Sequence, residues 1–181
     1  MSIPNLVTLV RILLVPIVVW AITSGEMRIA FLLFVAAGVS DAIDGFVAKR
    51  FHMTSELGAY LDPLADKALI VSIYVSLGIA GKLPLFLVIL VVSRDIMIIG
   101  AFMLAWLVGK PMAARPLMVS KINTVAQILL ATLVLAEQGF GFDADLSSRL
   151  LMALVAVLTL LSIAFYLVEW VRHMNSFGGN H

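Results

Sequence analysis

The sequence predicts an all-α integral membrane protein, a six-transmembrane-helix bundle with both termini inside (N-in/C-in). Three observations carry that expectation. Hydrophobic residues make up 62% of the 181-residue chain and charged residues 13%, where a soluble domain carries about 25% charged residues. Mean hydropathy is +1.12. Six apolar runs follow one another between short polar turns, each near the length of about 20 residues that a bilayer requires. One membrane domain spanning 1–181, without internal repeats, is expected. The net charge of +1 leaves no basic footprint for nucleic acid. Zero cysteines exclude disulfides and thiolate metal sites.

Helix 1 is expected over 4–23. Pro4 suits a first helical turn, where its missing N–H costs nothing. With no basic leader and no small-residue cleavage site, the run reads as a retained span rather than a signal peptide. Asn5, Thr8 and Arg11 share one side at three-residue steps. Arg11, about two turns in, reads either as an interfacial arginine reaching for water or as part of a site. A turn at 24–27 leads to helix 2 over 28–50. After the connection 51–55, Thr54 or Ser55 caps helix 3 over 56–79, with Glu56 in its first turn. Pro63 should kink helix 3 or open its hydrogen-bond ladder, which a membrane tolerates where polar partners stand by.

Helix 4, over 84–108, follows the turn from Gly81 to Pro84 and carries Ser93, Arg94 and Asp95 near its middle. Adjacent helix residues point about 100° apart, so a neutral Arg94–Asp95 pair is not assumed. A buried Arg94 then needs an anion: one of the clustered aspartates Asp41, Asp44, Asp62 and Asp66 as a structural ion pair, or a substrate phosphate. The loop 109–120, with Lys110 and Arg115, reads as a positive cytoplasmic loop. Helix 5, over 119–137, has polar residues at 120, 121, 124 and 127, so one face turns to water or to the bundle. An acidic, glycine-bearing loop over 137–148 precedes helix 6, over 149–171. Helix 6 is rich in Leu, Ala and Val and reads as scaffold, with Tyr166, Trp170 and Arg172 as interfacial anchors.

Basic residues set the orientation. Lys49, Arg50, Lys110, Arg115, Lys121 and Arg172 fall on one side, against Arg28, Lys82 and Arg149 on the other. The richer side is cytoplasmic by the positive-inside rule.

That side also holds the stretch around which the chain is organised. Asp41, Asp44, Asp62 and Asp66 lie within 26 residues of an otherwise apolar sequence. Each carboxylate at a membrane helix centre costs roughly 3 kcal/mol on insertion scales. Such residues are therefore expected to be clustered, charge-compensated and used. Asp41 and Asp44 lie about 60° apart on a helix, and Asp62 and Asp66 about 40° apart, with Gly58 one turn earlier on the same stripe. If the two helices pack face to face, the four carboxylates converge. Oxygen-only donors without Cys or His nearby favour a hard divalent cation, Mg²⁺ or Mn²⁺. Lys67 directly follows Asp66 and reads as charge balance for the cluster.

Asp41, Asp44, Gly45, Ala48, Gly58, Asp62 and Asp66 fill an Asp-x-x-Asp-Gly-x-x-Ala and Gly-x-x-x-Asp-x-x-x-Asp pattern. The pattern resembles the signature of the CDP-alcohol phosphatidyltransferase family. The arginine usual after the alanine is Lys49 here, followed by Arg50, which keeps the charge and loses the bidentate fork. The resemblance implies transfer of a phosphatidyl group from CDP-diacylglycerol to an alcohol, with release of CMP. It implies that Asp41, Asp44 and Asp62 hold the metal, in two ions, that Asp66 also binds metal, and that Asp66 is the general base. It places Asn5, Thr8, Asp44, Gly45, Ala48, Lys49, Thr54 and Gly58 on the nucleotide and its lipid. It also implies a homodimer among membrane lipids.

The acceptor is argued from helices 3, 4 and 5. The runs LDPLADKALIVSIYVSLG, SRDIMIIGAF and SKINTVAQ look closer to the CMP-forming cardiolipin synthase branch than to the branch that uses glycerol 3-phosphate. The latter usually shows Ser-Arg-Glu and a second arginine, where this chain has Asp95 and Phe102. Phosphatidylglycerol is therefore the expected acceptor and glycerol 3-phosphate the alternative, with Arg94, Lys121 and Arg115 on the acceptor side. A cation-coupled transporter also places carboxylates in a membrane, but inverted repeats and paired broken helices are missing from the sequence. The short length and the lack of a transit peptide point to a bacterial inner membrane, with the site near its cytoplasmic face.

Overall fold

Six helices are described, and their order in space differs from their order in the chain. The computed structural model describes residues 3–51, 56–107 and 118–175, with side chains over 9–40, 65, 67–100, 118–168 and 170. Among the described residues every regular element is a helix: α1 Ile3–Thr23, α2 Met27–Phe51, α3 Glu56–Ile79, α4 Leu85–Leu107, α5 Met118–Phe140 and α6 Asp145–Asn175. A helix is the structure that lets an apolar segment satisfy its own backbone without water. Met118–Phe140 and Asp145–Val168 are long and apolar enough to cross a membrane on the described residues, and Leu9–Thr23, Met27–Ser40 and Lys67–Ile79 are shorter apolar stretches.

α1 packs on α2 and α3, α2 on α5, α5 on α6, α6 on α4, and α4 on α3. The helices thus close into a ring in the order α1, α2, α5, α6, α4, α3. α3 and α5 face each other across that ring and touch at its centre. There the Tyr74 hydroxyl donates to the Gln127 main-chain carbonyl at 3.0 Å.

Among the described residues the apolar core lies toward the turns at 24–26, 80–84 and 141–144. Ile22, Phe34, Ile73, Leu77, Leu87 and Leu130 are buried there. α2 and α5 approach closely on this side. Arg28 donates from Nε to the Gly139 carbonyl and lies 5.8 Å over the Phe140 ring. That ring meets Phe31 edge-on at 5.4 Å. A Cβ at Gly139 would lie 3.0 Å from the Arg28 backbone nitrogen.

α6 runs on to Asn175 rather than ending at 171, and two further boundaries differ from expectation for one reason. α5 runs on to Phe140 and α6 begins at Asp145, so the acidic segment read as loop is mostly helix ends. Glu137 accepts from the Ser148 hydroxyl at 2.9 Å and from the Ala144 N–H at 3.4 Å, tying the turn to the end of α5. Gly141 takes φ 71°, the left-handed conformation that glycine adopts without a Cβ penalty. The Asp143 carboxylate accepts the N–H of Asp145 at 3.0 Å, a side-chain cap for α6. α3 continues through position 63, so Pro63 does not end it. The expected cap at Thr54 or Ser55 lies outside the described residues.

Candidate active site

The backbone places the aspartates on two helices that both flank α1. Asp41 and Asp44 belong to α2, and Asp62 and Asp66 to α3. At 1.5 Å per residue, Asp41 lies about 21 Å from the start of α2, and Asp66 about 20 Å from the end of α3. Those two ends lie on the same side of the bundle, so the two aspartate segments begin at one height, above the apolar core. The side chains of Asp41, Asp44, Asp62 and Asp66 lie outside the described residues, as do those of Asn5, Thr8, Ala48 and Lys49. Gly45 and Gly58 are helical positions on α2 and α3, whereas Thr54 and Arg115 fall wholly outside the described segments. Among the described residues no three His, Asp or Glu gather into a metal site.

What the described side chains do form is a buried polar centre beside that region. Arg94 and Asp95 of α4 are each 1% exposed. Arg94 Nη1 donates to Asp95 Oδ1 at 2.6 Å. Lys67 Nζ, on α3 one residue beyond Asp66, reaches the same oxygen at 2.6 Å. The rest of the guanidinium is taken up by hydroxyls. Nε and Nη2 donate to Ser162 Oγ of α6 at 3.2 and 3.1 Å, and Nη2 also donates to Ser120 Oγ of α5. One arginine therefore ties α4 to α5 and α6, and one carboxylate ties α4 to the aspartate-bearing α3.

A second layer lies one helical turn further into the bundle. Asn123 Oδ1 accepts from the Thr159 hydroxyl at 3.1 Å. Three steps along α5 are matched by three steps back along α6, so the two polar layers keep one antiparallel register. Below them comes Gln127, whose main-chain carbonyl holds Tyr74. Four buried atoms of these residues have no hydrogen-bond partner: Asp95 Oδ2 on α4, and Asn123 Nδ2, Gln127 Nε2 and Gln127 Oε1 on α5.

Several expectations change here. Arg94 and Asp95 do pair: the Cβ directions diverge, but the arginine side chain is long enough to fold back onto its neighbour. Asp95 supplies an anion to the buried Arg94. Arg11 is 4% exposed and so does not reach out to an interface. On α5 the inward residues are 120, 123 and 127, while Lys121 is exposed and takes no part in the Arg94 contacts. α6 is more than scaffold, because Thr159 and Ser162 are fully buried and bonded. Their signal in the sequence was two hydroxyls three residues apart in an otherwise apolar run.

Comparison with known proteins agrees with the motif. Residues 1–168 match the family described as CDP-alcohol phosphatidyltransferase. A human protein named cardiolipin synthase (CMP-forming) is 33% identical over 181 aligned residues, covering 91% of this chain and 60% of that protein. A rice chloroplastic CDP-diacylglycerol–glycerol-3-phosphate 3-phosphatidyltransferase is 33% identical over 160 residues, covering 79% of this chain and 49% of the relative. A putative cardiolipin synthase of Mycobacterium tuberculosis is 32% identical over 109 residues, covering 59% of this chain and 51% of its own length. The chain spans 60% of the length of the human and rat relatives that it matches.

Proposed function

The chain belongs to the CDP-alcohol phosphatidyltransferase family, and from that premise we propose that it transfers a phosphatidyl group from CDP-diacylglycerol to phosphatidylglycerol, giving cardiolipin and CMP. The observation that carries the acceptor is the similarity to a CMP-forming cardiolipin synthase over 91% of the chain. The second reading, phosphatidylglycerophosphate synthesis from glycerol 3-phosphate, has the rice relative in its favour. Phe102, where an arginine for a phosphate monoester is expected, weighs against it.

The donor set fits a divalent ion. Asp41, Asp44, Asp62 and Asp66 offer oxygen alone, in pairs one turn apart on two helices at one height. In this reading they hold two Mg²⁺ or Mn²⁺ ions, whose chemistry is to neutralise the diphosphate and its leaving group. Asn5, Thr8, Lys49, Thr54 and the small residues Gly45, Ala48 and Gly58 receive the nucleotide and its lipid. The acceptor hydroxyl oxygen attacks the phosphatidyl phosphorus, the phosphoanhydride bond to CMP breaks, and Asp66 takes the hydroxyl proton. Lys121 and Arg115 are the cations that face the acceptor's phosphodiester. Arg94, whose guanidinium also bonds to Asp95, Ser120 and Ser162, is assigned to the same acceptor side.

The same reading makes the chain one domain of six spans with both termini inside, the site at the cytoplasmic face, and a homodimer as the working unit. The proposed host is a bacterial inner membrane; mycobacterial proteins are among the relatives. CMP release from CDP-diacylglycerol tests the function, with phosphatidylglycerol and glycerol 3-phosphate supplied in competition and the product identified by lipid mass. Cardiolipin is expected. Phosphatidylglycerophosphate would move the chain to the second reading, and no CMP with either alcohol would remove both.

A further inference from the structure

We propose that Asn123 and Gln127 of α5 form a hydroxyl-recognition site for the polyol headgroup of the acceptor, an inference that rests on the acceptor reaction proposed above. Both side chains are 0% exposed. The Asn123 carboxamide uses its oxygen on Thr159 and leaves Nδ2 unpartnered. The Gln127 carboxamide is unpartnered at both Nε2 and Oε1, because Tyr74 bonds to the main chain instead.

Buried polar groups in folded proteins are nearly always paired, and leaving one unmade costs more than an ordinary hydrogen bond returns. Leucine or methionine would fill the same space without that cost. The two amides, one turn apart on α5, keep three unpaired atoms, two of them donors (Asn123 Nδ2, Gln127 Nε2) and one an acceptor (Gln127 Oε1). A hydroxyl donates once and accepts, so two neighbouring hydroxyls present the complementary set. Two uncharged amides select hydroxyls over phosphate. The site thus reads the glycerol end of the headgroup, leaving its phosphodiester to the exposed Lys121. The amides are covered in this structure, so the headgroup must part the α4, α5 and α6 contacts to reach them. In return it meets atoms that give up no existing bond.

This arrangement makes stability and acceptor recognition move in opposite directions, which a structural role would not do. The test uses Gln127→Met and Asn123→Leu, apolar replacements of similar size, in the purified full chain. Unfolding temperature is measured with phosphatidylglycerol and with phosphatidic acid, which has a phosphate and no polyol. Gln127→Met should unfold at or above the wild-type temperature without lipid; Asn123→Leu also strands the buried Thr159 hydroxyl, so it is read by its lipid response and acceptor KM alone. Wild type should gain more from phosphatidylglycerol than from phosphatidic acid, and the variants should gain equally from both. The acceptor KM should rise about tenfold, as for a site that loses its hydroxyl partners, with the CDP-lipid KM unchanged. A phosphatidylglycerol advantage retained in the variants overturns the proposal, as does a lowered unfolding temperature with an unchanged acceptor KM. If the variants do not fold, wild type decides alone: equal gains from the two lipids overturn it. Because lipid binding is read without turnover, a wild type that releases no CMP sinks the proposed reaction and leaves this comparison standing.

Discussion

Asp95 Oδ1 lies 2.6 Å from Arg94 Nη1, although the two are neighbours on α4 whose side chains leave the helix in different directions. The same oxygen receives Lys67 from α3. Asp95 is therefore the joint between the aspartate-bearing helix and the far side of the ring. Breaking a buried pair by removing one partner leaves an uncompensated charge, at about 3–5 kcal/mol. Asp95→Asn should lower the unfolding temperature sharply and should cost more than Lys67→Met, since Lys67 is partly exposed and Asp95 is not. A thermal unfolding series in detergent measures both. An Asp95→Asn protein as stable as wild type would remove the joint.

Ser162 tests the other end of the same arginine. Its hydroxyl accepts from Arg94 Nε and Nη2, and alanine there leaves two donors of a buried cation unmet. Hydrogen bonds to charged groups contribute about 1.5–3 kcal/mol. Ser162→Ala should therefore destabilise by that order. Thr132→Ala, on an exposed hydroxyl that bonds only its own helix, should change stability by less than about 0.5 kcal/mol. Equal effects in the two variants would deny Ser162 its bracing role.

The helices were legible because long apolar runs alternate with short polar turns, and the expected boundaries of α1 to α4 fall within one residue of those observed. The acidic turn was misread because its charges and glycines suggested a loop, while Asp143 and Glu137 accept hydrogen bonds that tie the helix ends together. The ring order was not legible, because nothing in an apolar helix says that α2 meets α5 or that α6 separates α5 from α4. The aspartate pattern was legible as spacing. The Arg94 centre was not, because Cβ directions alone do not show how far a long arginine side chain can fold back. Thr159 and Ser162 were passed over because composition alone made α6 look like a lipid-facing span.

Gly139 is where α2 and α5 come closest on the core side. An added Cβ would lie 3.0 Å from Arg28 N and 3.1 Å from Arg28 Cα. Glycine to alanine inside a helix ordinarily gains about 1 kcal/mol. Here the first two obstacles are backbone atoms, which cannot rotate aside, and overpacking costs about 1–3 kcal/mol. Gly139→Ala should therefore lower stability by about 1 kcal/mol, while Gly38→Ala, with open space around it, should raise it. A stabilised Gly139→Ala protein would show that the α2–α5 contact is loose enough to give.

The proposed chemistry separates the roles of two aspartates on one helix. Asp62 and Asp66 are one turn apart on α3, so both are candidates to hold metal, but the motif assigns the proton to Asp66 alone. Asp66→Asn keeps an oxygen donor and loses the base. It should abolish CMP release, by at least about 10²-fold for a lost general base, while the protein still binds CDP-diacylglycerol in the presence of Mg²⁺ or Mn²⁺. Asp62→Asn weakens the metal site itself, so it should raise the metal concentration needed for half-maximal rate and weaken CDP-lipid binding with it. Chelation of wild type should stop turnover, and added Mn²⁺ should restore it. Binding isotherms at several metal concentrations distinguish the two variants. Asp66→Asn turning over at the wild-type rate would take the base away from this residue. Identical metal dependence in both variants would make the two aspartates a single metal-binding unit without a dedicated base.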